Sequence, residues 1–390
     1  MVTVQLKLVD AGDLYLGWRW EHEPATPHVQ VIPRDLVAPT LAEWAAVVPS
    51  PTPGESLPQA LRRALPLLDG QRERELSTRL ASALIPHTLA AELNSWLARG
   101  VRPHVRVQPS PSTAFVPWEA LRVDDGERMV HNVAVSVLAP ASVADRAITP
   151  FDPHGTVVHV LDPKVPGFPD NSALGSVLGE AGAALGQTRR DDVDRDYLEK
   201  ALSTAARFVY VGHVTTGDHG LDARLHLSCT AETTGRAAVL GTHRPLTAAD
   251  IVLGHRQGHP WRIPNRVALV ACESGGDVRF AEPSGLVTAM IHGGAEYVTA
   301  TRWTLPTDEG LRQLAGDVPS VLVPAVQAVD EAHRGDPITA LNDWQRTRAT
   351  AWEKTGDPAC SPLIWAAFTT TWAPQPGTGR TRLAPTVRNG

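Results

Sequence analysis

Two stretches of sequence decide the fold: Arg207-Phe208-Val209-Tyr210-Val211-Gly212-His213 and Val267-Ala268-Leu269-Val270-Ala271-Cys272-Glu273-Ser274-Gly275-Gly276. Each is a short apolar run that ends in a residue able to do chemistry, and such runs next to glycine predict buried strands. If the two strands are parallel, their C-terminal ends meet at one edge of the sheet, where open α/β sheets bind ligands. We therefore expect His213 and Cys272 to lie side by side.

Around these two stretches the sequence alternates between strand and helix from about residue 155 onward. Strands are predicted at 156–161, 208–211, 267–270, 295–300 and 364–369, and helices at 173–186, 194–206, 246–257, 283–293, 318–334 and 336–353. This alternation predicts an α/β fold in which a mostly parallel sheet is covered by helices on both faces.

Residues 1–100 have a different pattern, with strands predicted at 2–8, 14–20 and 28–32 before helices at 40–48, 57–68 and 72–99. Pro86 should kink the last helix or split it in two. This pattern predicts a smaller α+β accessory module in front of a main domain over residues 101–373. The Pro, Gly, Thr and Arg-rich residues 374–390 are predicted to be a disordered tail.

Composition excludes several classes of protein. The 390 residues carry a formal net charge of −6 with acids and bases interspersed, so no nucleic-acid surface is predicted. The N-terminus lacks the pattern of a signal peptide, and no apolar run reaches membrane-spanning length. Three cysteines, an odd number without framework spacing, indicate a reducing compartment, and we predict a cytoplasmic protein.

No cofactor or metal is predicted. Neither a phosphate-binding G-x-x-x-x-G-K-[ST] motif nor a G-x-S-x-G nucleophile elbow is present. His226, Cys229 and His243 are the residues from which a zinc site could be built. Their spacing has none of the short paired motifs typical of zinc ligands, so we predict no metal.

Cys272 and His213 have the chemistry of a cysteine nucleophile with its base. A thiol has a pKa near 8.5 and reacts as the thiolate, so a neighbouring imidazole is needed to take its proton. The amide of Cys272 could donate to a developing oxyanion, which is worth roughly 3 kcal/mol in the transition state. The alternative is a buried core thiol and a histidine in a turn. Matching strand ends, each with glycine nearby, favour the pair.

Further motifs give the chain a resemblance to CHAT domains, bacterial relatives of caspases and separases, from about residue 103 to 373. The similar segments are Val116-Pro117-Trp118-Glu119-Ala120-Leu121, Phe208-Val209-Tyr210-Val211-Gly212-His213, Leu269-Val270-Ala271-Cys272-Glu273-Ser274-Gly275, Gly285-Leu286 through Trp303, and Pro362-Leu363-Ile364-Trp365-Ala366-Ala367-Phe368. The resemblance implies a caspase-like αβα sandwich that hydrolyses peptide bonds through a thioacyl-enzyme. It also implies that Cys272 is the nucleophile and that His213 is the general base and acid.

The same resemblance assigns backbone roles at the turn after the histidine strand. Gly212 belongs to the turn that presents His213, and the amides of Val214 and Cys272 would form the oxyanion hole. CHAT domains usually have glycine where this chain has Val214, and a β-branched residue resists positive φ. That departure is the one feature that favours the alternative function, an inactive scaffold or interaction module.

Substrate selection would depend on three loops at the same sheet edge, 215–221, 275–284 and 301–309. The candidate pocket residues in these loops are Asp218, Asp277, Glu282, Trp303 and Asp308. The acids would favour Arg or Lys at the P1 position of a substrate, whereas Trp303 would form an apolar wall. Exposed loop acids are more often simply solvated, and the P1 preference stays open.

The CHAT resemblance also gives expectations about context. It implies a regulated effector of a bacterial defence or conflict system that cleaves a protein substrate. Residues 1–100 would pack on the peptidase domain, or a regulatory or activating protein would bind through them. Neither nucleic acid nor membrane is expected as a partner.

Overall fold

The protein is described by a computed structural model that covers residues 2–52, 54–186, 189–217, 219–256, 258–271, 276 and 285–374. The strands are β1 Thr3–Ala11, β2 Asp13–Trp20, β3 His28–Ile32, β4 His104–Gln108, β5 Arg122–Asp124, β6 Glu127–Arg128, β7 Ala134–Leu138, β8 Val157–Leu161, β9 Arg207–Gly212, β10 Val214–Thr215, β11 Arg224–Leu225, β12 Leu246–Thr247, β13 Arg266–Ala271, β14 Tyr297–Thr301 and β15 Phe368–Trp372. The helices are α1 Arg34–Ala45, α2 Leu57–Arg63, α3 Gly70–Leu84, α4 His87–Leu97, α5 Met129–Asn132, α6 Arg195–Leu202, α7 Ala248–Leu253, α8 Leu286–His292, α9 Asp308–Ala315, α10 Leu322–Ala332, α11 Pro337–Thr355 and α12 Pro362–Trp365.

Ten of these strands form one central sheet in the order β3-β2-β1-β4-β7-β15-β14-β13-β9-β8. From β8 to β14 neighbouring strands are parallel, and β15 then runs antiparallel to β14. The strands from β15 through β7 and β4 to β1 are parallel again, and only β1 to β3 form an antiparallel meander. The prediction of a mostly parallel sheet is confirmed.

Helices cover both faces of this sheet. Alternate residues of β9 and β13 point into two separate apolar cores, because successive side chains on a strand face opposite sides. Val209 and Val270 lie in the core shared with α10, α11 and α12, whereas Tyr210 and Leu269 lie in the core shared with α6, α7 and α8. Each fully buried side chain of this size contributes about 1.5–3 kcal/mol. The predicted αβα sandwich is confirmed.

The first hundred residues have the predicted α+β composition, but they share the main sheet and one of its cores. β1 pairs in parallel with β4, which joins the N-terminal meander to the rest of the sheet. The ring of Trp44 in α1 packs edge-on against Trp303, with centroids 6.1 Å apart. Residue 100 therefore does not separate two cores, because the apolar faces of β1, α1 and α3 are buried against the main domain.

Most of the predicted helices and strands are present, and the errors in their predicted type and bounds have local causes. Pro86 splits the helix predicted at 72–99 into α3 and α4, as expected. The helix predicted at 173–186 is wrong: only a 3₁₀ stretch over Gly179–Leu185 forms, because Gly179 and Gly186 adopt positive φ. The closing strand predicted at 364–369 begins only at Phe368, after α12.

Two further expectations concern the C-terminal tail and membrane-spanning helices. Apart from residue 374, the tail predicted over 374–390 lies outside the described residues. Of the helices that the structure describes, none combines the length and apolar character needed to cross a bilayer.

Candidate active site

The ends of β9 and β13 lie side by side, one and two strands in from the outer strand β8 of the sheet. The two strands are parallel and in register, with Ala271 opposite Gly212. His213 follows Gly212 directly. Cys272 follows Ala271 in the sequence but lies outside the described residues. The structure therefore brings together the strand ends that the sequence predicted, and the contact between Cys272 and His213 stays a prediction.

The imidazole of His213 makes a specific contact with a loop carbonyl. Its Nε2 lies 2.8 Å from the carbonyl oxygen of Gly175. A carbonyl can only accept a hydrogen bond, so Nε2 carries the proton and Nδ1 is left unprotonated. Burial lowers the pKa of His213, while the Gly175 carbonyl and the Asp162 carboxylate act in the opposite direction. The ring is thus neutral near pH 7 and can accept a proton at Nδ1.

Gly212 is required by the close approach of an aromatic ring. A Cβ at this position would lie 2.6 Å from the hydroxyl of Tyr210, which no side chain tolerates. That hydroxyl shares its proton between the carbonyl oxygens of His213, at 2.9 Å, and His226, at 2.8 Å. Tyr210 therefore fixes the backbone on both sides of the turn that presents His213.

Val214 lies in β10 without backbone strain. Among the described non-glycine residues, only Asp162 has a positive φ, so the conflict expected from a β-branched residue at position 214 is absent. Val214 pairs with Leu225 of β11, and the His226 N–H donates to the His213 carbonyl at 3.1 Å. In an antiparallel ladder, hydrogen-bonded and non-hydrogen-bonded residue pairs alternate. Because His213 and His226 are hydrogen-bonded, the next pair, Val214 and Leu225, is not, and the Val214 N–H points away from β11.

Two of the sequence motifs meet in a buried ion pair. Arg302, just after β14, lies 2.8 Å from the carboxylate of Glu119, and both side chains are almost fully buried. Arg302 also donates to the carbonyl of Ala366 at 2.9 Å. The Pro-Trp-Glu segment and the segment that ends at Trp303 are thus explained by structural contacts between distant parts of the chain.

A family model named CHAT domain matches residues 74–372, which is more than half of the chain. The chain belongs to the CHAT domain family. No curated protein sequence matches it. The match begins at residue 74, in α3, so it includes part of the segment that the sequence predicted to be an accessory module.

Two crystal structures of the Saccharomyces cerevisiae separase–securin complex, at 2.6 and 3.0 Å resolution, are similar to this CHAT protein. Their TM-scores are 0.47 and 0.48, with 12% and 11% sequence identity. Each match covers 96% of this chain and 30% of the matched chain. The CHAT protein therefore spans less than a third of the chains it matches, and a likeness at this level carries no argument about activity.

The described pocket candidates of the CHAT protein have structural contacts. Trp303 is fully buried, and its Nε1 donates to the Leu363 carbonyl at 3.0 Å, so it belongs to the core instead of an open apolar wall. The carboxylate of Asp308 accepts from the N–H groups of Val321 and Leu322, which holds the start of α9 to the start of α10. Asp218, Asp277 and Glu282 lie outside the described residues.

The three residues considered for zinc form a hydrogen-bonded chain. His243 Nδ1 donates to the carbonyl oxygen of Cys229 at 2.7 Å, so its Nε2 accepts from His226 Nδ1 at 3.2 Å. His226 Nε2 in turn accepts from the Thr215 hydroxyl at 3.0 Å. The imidazoles of His226 and His243 are both neutral in this hydrogen-bonded chain, and burial lowers the pKa of His226 to about 3. Within the described part of the chain, no His, Cys, Asp or Glu cluster could hold a metal ion.

Three residues of the site escaped the sequence analysis: Tyr210, Asp162 and Gly175. Asp162 follows the buried strand β8, so the rule that placed His213 and Cys272 at one sheet edge could have found it as well. Tyr210 looks like any other apolar strand residue. Gly175 contributes only a backbone carbonyl, for which the sequence has no signal.

Proposed function

We propose that this CHAT protein is a cysteine endopeptidase that cleaves a protein substrate with Cys272 as nucleophile and His213 as general base and acid. The observation that supports it most is the fixed tautomer of His213 at the end of β9, beside the end of β13. The next residue after β13 in the sequence is Cys272. A thiol there would find an unprotonated imidazole nitrogen at the neighbouring strand end.

The proposed reaction follows from this tautomer. Nδ1 of His213 takes the thiol proton, and the thiolate attacks the carbonyl carbon of the scissile peptide bond. The tetrahedral intermediate collapses as the imidazolium returns the proton to the leaving amine, which leaves a thioacyl-enzyme. Water, deprotonated by the same imidazole, attacks the thioester carbonyl; the C–S bond then breaks, the acid product leaves, and the imidazolium returns the proton to the Cys272 thiolate. The amides of Val214 and Cys272 would hold the oxyanion, each contributing roughly 3 kcal/mol.

The alternative of an inactive scaffold rests on Val214, which is free of backbone strain in the structure. Val214 has an ordinary extended conformation, and its N–H points away from the neighbouring strand. A backbone donor at position 214 therefore needs no glycine. The scaffold remains an outcome of the experiment below.

The biological setting is part of the proposal and comes from the family resemblance. A regulated effector of a bacterial defence or conflict system would keep the peptidase restrained until a trigger acts. A regulator could act through residues 1–100, because this segment shares the sheet and one core with the catalytic region. The substrate would be another protein.

A thiol-selective activity probe tests the proposal on the full chain. We expect labelling of the wild type to be lost in Cys272→Ala and strongly reduced in His213→Ala. Cys229→Ala and Cys360→Ala are matched controls, because both thiols are buried, and they should label like the wild type. Labelling that survives in Cys272→Ala, or that is unaffected by His213→Ala, would contradict the proposed dyad.

A further inference from the structure

We propose that Asp162 is a positioning residue for His213, because its carboxylate holds the loop whose Gly175 carbonyl binds the imidazole. The contacts below stand independently of any activity. The effect on peptide hydrolysis rests on the proposed function.

Asp162 lies at the same sheet edge as His213. It follows β8, which pairs in parallel with β9, and its N–H donates to the Val211 carbonyl at 2.6 Å. Its side chain is buried, with 2% of the residue exposed. Asp162 is also the one non-glycine among the described residues with positive φ, at 51°. A conformation of this kind persists only where the surrounding contacts determine it.

The carboxylate of Asp162 binds three consecutive residues of the loop. It accepts hydrogen bonds from the Ser176 hydroxyl at 2.5 Å and from the N–H groups of Val177 and Leu178 at 3.1 and 3.3 Å. Arg189 forms an ion pair with the same carboxylate, its Nε 3.3 Å away, and the Nε–H donates to the main-chain carbonyl of Asp162 at 2.8 Å. Every one of these partners is a donor, so an ionised carboxylate fits the position and a neutral amide does not.

The residue immediately before this bound segment is Gly175, whose carbonyl meets His213. The turn around it is tight: the Ser176 N–H donates to the Asp170 carbonyl at 2.9 Å, and a Cβ on Gly175 would lie 2.1 Å from that same oxygen. The loop therefore has little freedom once residues 176–178 are held. Through the loop, Asp162 sets the direction of the Gly175 carbonyl and so the tautomer and orientation of His213.

The charges around His213 predict the direction in which its pKa should change when Asp162 is replaced. Burial and Arg189 lower the pKa of His213, whereas the Gly175 carbonyl and Asp162 raise it. Replacing Asp162 with asparagine removes the negative charge and also releases the Gly175 carbonyl. Both changes disfavour the imidazolium, so the pKa of His213 should fall further.

The test is ¹⁵N NMR of the histidine rings in the full chain carrying Cys272→Ala, with the His213 signal assigned by its loss in His213→Gln. We expect the Nε2-protonated tautomer in the parent protein. In Asp162→Asn we expect this preference to be lost and the pKa of His213 to be lower. Glu180→Gln is the matched control, since it removes the same charge from an exposed position of the same loop. It should leave both quantities unchanged.

Peptide hydrolysis, measured with Cys272 present, is the second readout. Asp162→Asn should lower kcat by about 100-fold with a smaller change in KM, since misplacing a catalytic group by about 1 Å costs that much. If Asp162→Asn does not fold, Ser176→Ala removes a single one of the loop bonds and should shift the His213 tautomer in the same direction. An unchanged tautomer and pKa in the folded variants would overturn the positioning role.

The two proposals fail separately. If the wild type hydrolyses no peptide but Asp162→Asn changes the His213 tautomer and pKa, the positioning role stands and the peptidase proposal falls. If peptide hydrolysis depends on Cys272 but the tautomer and pKa of His213 are the same in Asp162→Asn as in the parent protein, the peptidase proposal stands and the positioning role falls.

Discussion

At the residue scale, the site depends on the absence of a side chain at Gly212. A glycine beside the proposed catalytic histidine suggests a turn with positive φ, but Gly212 is the last residue of a strand. The limit here is steric, because the Tyr210 ring lies over the space that a side chain would occupy. The glycine thus lets one hydroxyl reach the two carbonyls that define the turn.

Gly212→Ala should therefore destabilise the protein and impair the site. Its Cβ would force the Tyr210 ring aside, an overpacking effect that typically costs about 1–3 kcal/mol. We expect the free energy of unfolding, measured by denaturant titration, to fall by this amount, together with a lower rate of activity-probe labelling. Gly335→Ala is the matched control, because a Cβ there has no neighbour within 4 Å. Equal stability of the two variants would show that Tyr210 does not impose the requirement.

At the element scale, the end of β13 is held by its neighbour β14. The Thr301 hydroxyl donates to the Ala271 carbonyl, the last residue of β13 before the segment outside the described residues. β14 also leads directly into Arg302, which pairs with Glu119. Thr301 thus holds the strand end, and Arg302, just after β14, holds the packing of a distant motif.

Thr301→Val keeps the shape of the side chain and removes the hydroxyl. We expect a loss of about 1–3 kcal/mol in unfolding free energy, since a buried carbonyl loses its donor, and slower probe labelling of Cys272. Thr369→Val on β15 is the control. Its hydroxyl is buried without a hydrogen-bond partner among the described residues, so this change should be neutral or stabilising. A Thr301→Val variant as stable and reactive as Thr369→Val would refute the role of the bond.

Secondary-structure elements could be predicted from sequence where one local pattern dominates. β9 and β13 are continuous β-branched and apolar runs, and both were located to within one or two residues. The helix prediction for residues 173–186 is wrong because the spacing of the apolar residues there resembles that of a helix. The glycines and the carboxylate of Asp162 impose turns on this segment instead. Only a contact between residues far apart in sequence distinguishes the two outcomes.

At the scale of the whole molecule, a buried charge cluster joins the N-terminal helices to the main domain. Arg128 lies 2.6 Å from Glu73 of α3 and 2.6 Å from Glu353 of α11. Trp352 donates to Glu73 at 2.9 Å. Because both Arg128 and Glu73 are almost fully buried, each depends on the other to offset the cost of its own desolvation.

Glu73→Ala should consequently be strongly destabilising. It leaves Arg128 with one carboxylate in a buried site, and breaking a buried pair costs about 3–5 kcal/mol. Glu75→Ala on the same helix is the control, since its ion pair with Arg72 is exposed and should be worth less than about 1 kcal/mol. Thermal or denaturant unfolding of both variants tests this difference, and similar losses would contradict it.

Buried neutral histidines make the whole fold sensitive to acid. Burial lowers the pKa of His104 to about 4 and those of His226 and His333 to about 3, all below the usual 6.5. Between pH 6.5 and 4 the unfolded chain binds protons that the folded chain does not, so stability falls as pH falls. Each such histidine contributes a slope of up to about 1.4 kcal/mol per pH unit in this window.

His333→Gln should reduce that slope by about one proton, whatever its effect on stability at pH 7. The measurement is the free energy of unfolding from pH 4.5 to 7 by denaturant titration. His154→Gln, at an exposed position, should leave the slope as it is in the wild type. A slope that is the same in His333→Gln would mean that His333 is protonated in the folded protein.

The sequence by itself determined the strand–helix alternation, the parallel sheet and the meeting of two strand ends, because hydrophobic periodicity and strand polarity are local properties. It also carried the motifs that assign the chain to the CHAT domain family. Tertiary structure alone decided that residues 1–100 share the main sheet and core, that Trp303 is a core residue, and that Val214 is unstrained. It alone placed Asp162 and the Gly175 carbonyl around His213, since a backbone carbonyl leaves no trace in sequence and its direction depends on contacts between distant segments.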